Sequence, residues 1–128
     1  MDYLDALTEA TALAQAATDP HDPAIGLAAA VATRGWLTLT GADLCWGWIG
    51  LDLLTAMADI DQPIPLASPD VSAPTADTPR LRAGVDALLT AVGVVFAAAA
   101  RDQARPEAQR GAYAVAAAMI GQATGRLR

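Results

Sequence analysis

The sequence predicts an all-α fold, a bundle of four or five helices with one long Pro-rich connection between helices 3 and 4. Three observations carry this. Alanine recurs in runs, at residues 28–30, 97–100 and 116–118, and alanine is the best helix former because it loses no side-chain entropy on ordering. Apolar residues recur at spacings of three and four, which lines them up on one side of a helix. No window alternates β-branched and aromatic residues against polar ones, as a half-buried strand requires. At 128 residues the chain fits one domain, residues 1–128, able to bury roughly two thirds of its unfolded surface.

Helix 1 is expected over residues 2–17. Asp2, Asp5 and Glu9 stand near its start, where the helix dipole favours negative charge, and Leu4, Leu7, Ala14 and Ala17 make its apolar stripe. Residues 18–23 then break the chain. Asp22 suits an N-cap and Pro23 a first helical position, so helix 2 begins there. Its apolar face is Ile25, Ala28, Ala29, Ala32, Trp36 and Leu39. Gly41 is the one clear breaker before helix 3, so helices 2 and 3 are either separate or a single kinked helix. Helix 3 spans residues 44–60, with Trp46, Ile49, Leu53, Met57 and Ile60 inward and Leu51 and Leu54 at the flanks. Its opposite stripe is Cys45, Trp48, Asp52, Thr55 and Asp59.

Residues 61–78 hold Pro63, Pro65, Pro69 and Pro74. A connection this long is uncommon inside one domain, and it is expected to be the most mobile and protease-sensitive segment. Thr78 and Pro79 restart helical structure. Helix 4 carries the clearest stripe, Leu81, Val85, Leu88, Val92, Val95 and Ala99, with Arg82 and Asp86 expected to pair at i,i+4. Pro106 and Glu107 open helix 5, which runs to the C-terminus. Ala112, Val115, Ala116, Met119, Ile120, Ala123 and Leu127 read as its core face. Its other face, Gly111, Ala114, Ala118, Gly121 and Gly125, repeats at 3-4-3-4 spacing with nothing larger than a methyl. Glycine inside a helix costs about 1 kcal/mol relative to alanine. A row of glycines therefore points to close approach by another helix, either internal or the same helix of a second subunit, the alternative being an exposed face of a compositionally biased chain.

The formal charge of -6 argues against a nucleic-acid partner, which needs a concentrated basic patch. Charge is divided unevenly. Residues 1–77 hold eleven Asp and Glu against Arg34, giving -10, and residues 78–128 hold seven Arg against three acids, giving +4. The acidic N-terminus does not read as a signal peptide. The uncharged stretch over residues 87–100 is short of the roughly 20 residues of a membrane span. A cytoplasmic protein with no membrane partner is expected. Cys45 is the single cysteine, so no internal disulfide supports the fold.

Catalysis finds little support. With one His, one Cys and two Glu, no metal-ligand set, cofactor motif or catalytic motif can be assembled. Cys45 could serve as a nucleophile only with His21 beside it. Trp36, Trp46 and Trp48 cluster around Gly41 and could line an apolar pocket, with Tyr113 as a polar edge. Arg34 and Asp52 are further ligand-binding candidates, since a buried pair between them would mark a site, although both sit on polar stripes that suit solvent. Trp48-Ile49-Gly50 matches the tripeptide motif of the small WXG secretion substrates. It lies inside a predicted helix rather than a turn, and no acidic residue follows Tyr113 in the expected register, so no family is assigned. The function these features favour is an alanine-rich, non-enzymatic interaction protein, a homodimer or the partner of another helical protein. The alternative is a small-molecule binding protein or cofactor-free enzyme with a Trp-lined apolar pocket. One outcome follows directly: the purified protein should carry no stoichiometric metal and be indifferent to reducing agent. Elemental analysis finding one equivalent of zinc or iron would overturn that expectation.

Overall fold

Helix starts are set locally by the residues that prepare the first turn. In the computed structural model, which describes residues 2–60 and 71–128, the Asp22 side chain accepts a hydrogen bond from Ala24 N and Pro23 opens the helix behind it. Thr78 likewise accepts from Leu81 N ahead of Pro79. These caps satisfy amides that have no partner inside the helix. The described residues form five helices: α1 (Tyr3–Ala16), α2 (Pro23–Leu39), α3 (Cys45–Asp59), α4 (Pro79–Arg101) and α5 (Glu107–Gly125). The described residues contain no strand.

Helices α2 and α3 are separate. After Leu39 the chain turns, and Asp43 Oδ1 accepts from Cys45 N at 2.9 Å to start α3. The two then run antiparallel, with Trp36 against Gly50 and Thr40 against Gly47. Helices α4 and α5 form a second antiparallel pair, in which Phe96 stacks on Tyr113 and Gly93 meets Ile120. The two hairpins lie on one another, α2 against α4 and α3 against α5, and α1 packs beside α2 and α4.

Alanine makes up much of the core. Residues 28–32 of α2 are buried in succession, so this helix is covered on nearly every side. An alanine methyl contributes only about 0.8 kcal/mol on burial, against roughly 1.5–3 for Leu, Ile or Phe. Close backbone approach must therefore supply the remaining contacts. It does so at two glycines. Tyr3, 2 % exposed, lies over Gly35 and donates its hydroxyl proton to Val31 O at 2.7 Å. Trp36 lies across Gly50, where any Cβ would overlap the indole.

The expected inward stripes of α3 and α4 are buried as read. On α5 the buried face turns instead toward Tyr113 and Thr124, leaving Val115 51 % exposed and Ala112 and Met119 half-buried. Tyr113 has far more apolar surface to bury than Val115, and it wins the core position. Helix α4 is 23 residues long, with a window of mean hydropathy 1.9, and by length and composition it could cross a membrane. Here its stripe from Leu81 to Ala99 is packed into the core. Residues 61–70 lie outside the described residues. The following stretch is tied down, because Pro74 is buried and Asp77 holds side chains of α3 and α4.

Two substitutions test the close approach. Gly50→Ala should destabilise by about 1–3 kcal/mol despite the better helix propensity of alanine, because the Trp36 ring is held between helices. Gly121→Ala, with nothing within 4 Å of its added methyl, should stabilise the dilute protein by up to about 1 kcal/mol. Chemical denaturation measures both, and a stabilised Gly50→Ala would refute this packing.

Candidate functional site

Polar side chains gather at the two ends of the bundle and at one point along its side. At the first end, Arg82 forms a fork on Asp77, Nε to Oδ1 at 2.8 Å and Nη2 to Oδ2 at 2.7 Å, and reaches Asp43 at 2.9 Å. The Trp46 indole donates to Asp77 Oδ2 at 2.9 Å, and the Arg82 guanidinium lies 5.7 Å from the centre of the Trp46 ring. The Arg82 fork, helped by the indole N–H, holds the Asp77 carboxyl below the usual carboxylate range. Cys45 sits beside Asp43 and Arg82. Burial first, and Asp43 second, push its thiol up, which opposes the thiolate a nucleophile needs.

At the opposite end, Arg105 reaches Asp19 at 3.4 Å and stacks 5.4 Å from the Tyr113 ring centre, while Tyr113 Oη lies 3.2 Å from His21 Nε2. Burial raises the Tyr113 phenol. Along the side, Asp52 of α3 is buried and accepts from Arg126 Nε at 2.7 Å. The Arg126 guanidinium also covers one face of Trp48, 5.7 Å from the ring centre.

The outward surfaces of the two hairpins differ sharply. On the outer side of α2 and α3, Leu37, Leu44, Trp48, Leu51 and Leu54 project with 64, 75, 55, 54 and 42 % of their surface exposed. On the outer side of α4 and α5 most exposed positions are small, Ala83, Ala87, Thr90 and Ala98 and then Gly111, Ala114, Ala118, Gly121 and Gly125, with the larger Val94 and Val115 63 and 51 % exposed. Between α4 and α1 this second face dips into a groove of ≈ 450 Å³, lined by Ala83, Ala87, Thr90 and Val94 with Ala14 and Ala17.

These positions revise several expectations. Asp52 is not solvated, and its partner is Arg126 rather than Arg34, because α5 rather than α2 lies beside its stripe. Arg82 pairs with Asp77 and Asp43, and Asp86 instead meets Arg128 at 3.5 Å. The three tryptophans stand in three settings. Trp46 is fully buried, Trp36 lies half-buried on Gly50, and Trp48 is exposed. Tyr113 is separated from Arg126 and Trp48 by about 20 Å of α5, so it cannot edge a pocket with them. Cys45 and His21 belong to the two opposite end clusters, separated by the length of α4, about 35 Å, and form no dyad. Among the described residues nothing approaches the α5 seam: Gly111, Gly121 and Gly125 each have open space where a Cβ would stand. The seam is therefore no internal helix contact. Sequence reading missed the Asp43, Asp77 and Arg82 cluster: Asp77 and Arg82 are neighbours across the start of α4, but Asp43 joins them only through the fold.

No protein-family model, curated protein or solved structure matches this chain.

The depressed Asp77 carboxyl has a consequence with a definite sign. A group whose folded pKa lies below its unfolded value of about 3.9 stabilises the fold above that value, and the stabilisation is lost as pH falls through the folded pKa. Asp43 and Asp19 are shifted the same way, chiefly by the backbone amides of Cys45 and His21. Asp77→Asn should lower stability by about 1–2 kcal/mol at pH 7 and make the loss below about pH 4 shallower than in the parent. Equal acid limbs in urea melts would show that the Arg82 fork contributes nothing.

Proposed function

We propose that this protein is a non-enzymatic interaction protein that presents helix surfaces and associates with copies of itself. The observation that carries this reading is the row of projecting side chains from Leu37 to Leu54. Soluble monomers rarely leave more than a few hundred Å² of contiguous apolar surface exposed. With about 200 Å² for a leucine and somewhat more for a tryptophan, these five expose on the order of 600 Å². One side of a standard protein–protein interface is about 800 Å². Trp48 with Arg126 on its face adds the pair of residue types that most often anchor such contacts.

The polar clusters favour the same conclusion. Asp77, Asp43 and Asp52 are each held by an arginine. They serve the fold by joining helices, and the Cys45 thiol is shifted away from reactivity.

Tryptophan emission tests the proposal, because Trp48 is the exposed one of the three. Raising the protein concentration should shift emission to the blue and protect it from acrylamide, alongside a rise in mass by light scattering. Trp48→Ala should remove the spectral change. A protein that stays monomeric with unchanged emission up to millimolar concentration would end this reading.

A further inference from the structure

Trp48 is 55 % exposed, yet its ring does not stand free in the row of projecting side chains. The Arg126 guanidinium lies over one face of the indole, 5.7 Å from the ring centre. The same guanidinium is fixed from behind by Asp52, whose Oδ2 accepts from Arg126 Nε at 2.7 Å. Asp52 lies one helical turn beyond Trp48 on α3, so the two side chains share a face. Arg126 is also held at its backbone, where its N–H bonds to carbonyls at the end of α5, and the next residue, Leu127, is buried. The contacts run in series. A fixed helix end carries Arg126, buried Asp52 sets the direction of its guanidinium, and the guanidinium lies against the indole.

Stability alone does not call for this arrangement. Burying a carboxylate carries a desolvation cost that its partner does little more than offset, and an apolar pair of similar volume would hold α3 to α5 as well. What the series adds is order. An indole in water turns about two side-chain torsions, and freezing them costs free energy when a partner binds. We infer that Asp52 is a positioning residue for the self-association proposed above: acting through Arg126, it holds the Trp48 ring in place before a second copy arrives. This rests on that reading and gives a buried carboxylate a part in it. With Arg126 on one face, the rest of the ring stays outward beside Leu44 and Leu51, which lie exposed one turn away on either side. The anchor is thereby set before contact, and association need not order it.

Two variants separate this role from that of a plain ion pair. Arg126→Lys keeps a positive charge for Asp52, but an ammonium cannot bond the carboxylate and lie flat on the indole at once. Asp52→Asn keeps the shape of the buried side chain and removes its charge. Arg126→Lys should unfold close to the parent's denaturant midpoint, and it carries the test should Asp52→Asn fail to fold. In dilute protein, NMR relaxation of the indole N–H groups reads the order of each ring, with the Trp48 signal identified by its loss in Trp48→Phe. The Trp48 order parameter should be near the rigid value of about 0.85 in the parent and below about 0.6 in the variants. Sedimentation equilibrium should show self-association about threefold to tenfold weaker in the variants, the cost of freezing one large side chain. If Trp48 is equally ordered in the parent and the variants, or if its order falls while association is unchanged, Asp52 has no positioning role and self-association stands. A parent that stays monomeric at millimolar concentration refutes both.

Discussion

An aromatic ring laid across a glycine holds α1 to α2, and a second holds α2 to α3. Nearly half of the buried apolar positions in these helices are alanine, which brings little area to any one contact. Dispersion falls off steeply when surfaces separate by even an ångström, so an alanine core works only if its helices nearly touch. Gly35 and Gly50 permit that approach, and Tyr3 and Trp36 fill the space beside it. The Tyr3 hydroxyl then meets a carbonyl of α2, so its burial leaves no hydrogen bond unmade. Where α4 meets α5 the same device recurs in weaker form, with Ile120 over Gly93.

The ion pairs complement this packing by fixing how the layers stack. Arg82 of α4 binds Asp43, just before α3, and Arg126, just beyond α5, binds Asp52 of α3. Both contacts cross from one hairpin to the other. Exposed pairs contribute little to stability, but Asp52 is buried, and removing its arginine would strand a carboxylate. Such contacts select one stacking of the two layers over the neighbouring registers that hydrophobic burial alone would tolerate.

Much of the architecture was legible because it is local. Asp22-Pro23 and Thr78-Pro79 announce helix starts through chemistry confined to a single turn, and the stripes of α3 and α4 are strong enough to be read without knowing their neighbours. What could not be read depends on which helix lies beside which. Asp52 looks solvated on a helical wheel, and it becomes buried because the end of α5 covers it. Val115 and Tyr113 are two residues apart on a helix with few large side chains, so the choice of core face is settled by the neighbours. The seam from Gly111 to Gly125 was visible as an anomaly, yet its facing outward follows only from the course of α3 and α4. Trp48 stood out in sequence as a large aromatic on a polar stripe, and its side chain is exposed.

The bare outer side of α5 also bears on motion. Methyl groups and glycine hydrogens do little to shield the carbonyls beneath them, so water can compete for the helix's own hydrogen bonds along this side. Local opening takes least free energy where few contacts are lost, and the Thr124 hydroxyl is bonded back to Gly121 O at 2.9 Å. Amide exchange should accordingly be uneven around α5, slow along Tyr113, Ala116, Ile120 and Ala123 and fast along the glycines. A helix that breathes on one side only can bend toward whatever covers it without disturbing the core on the other.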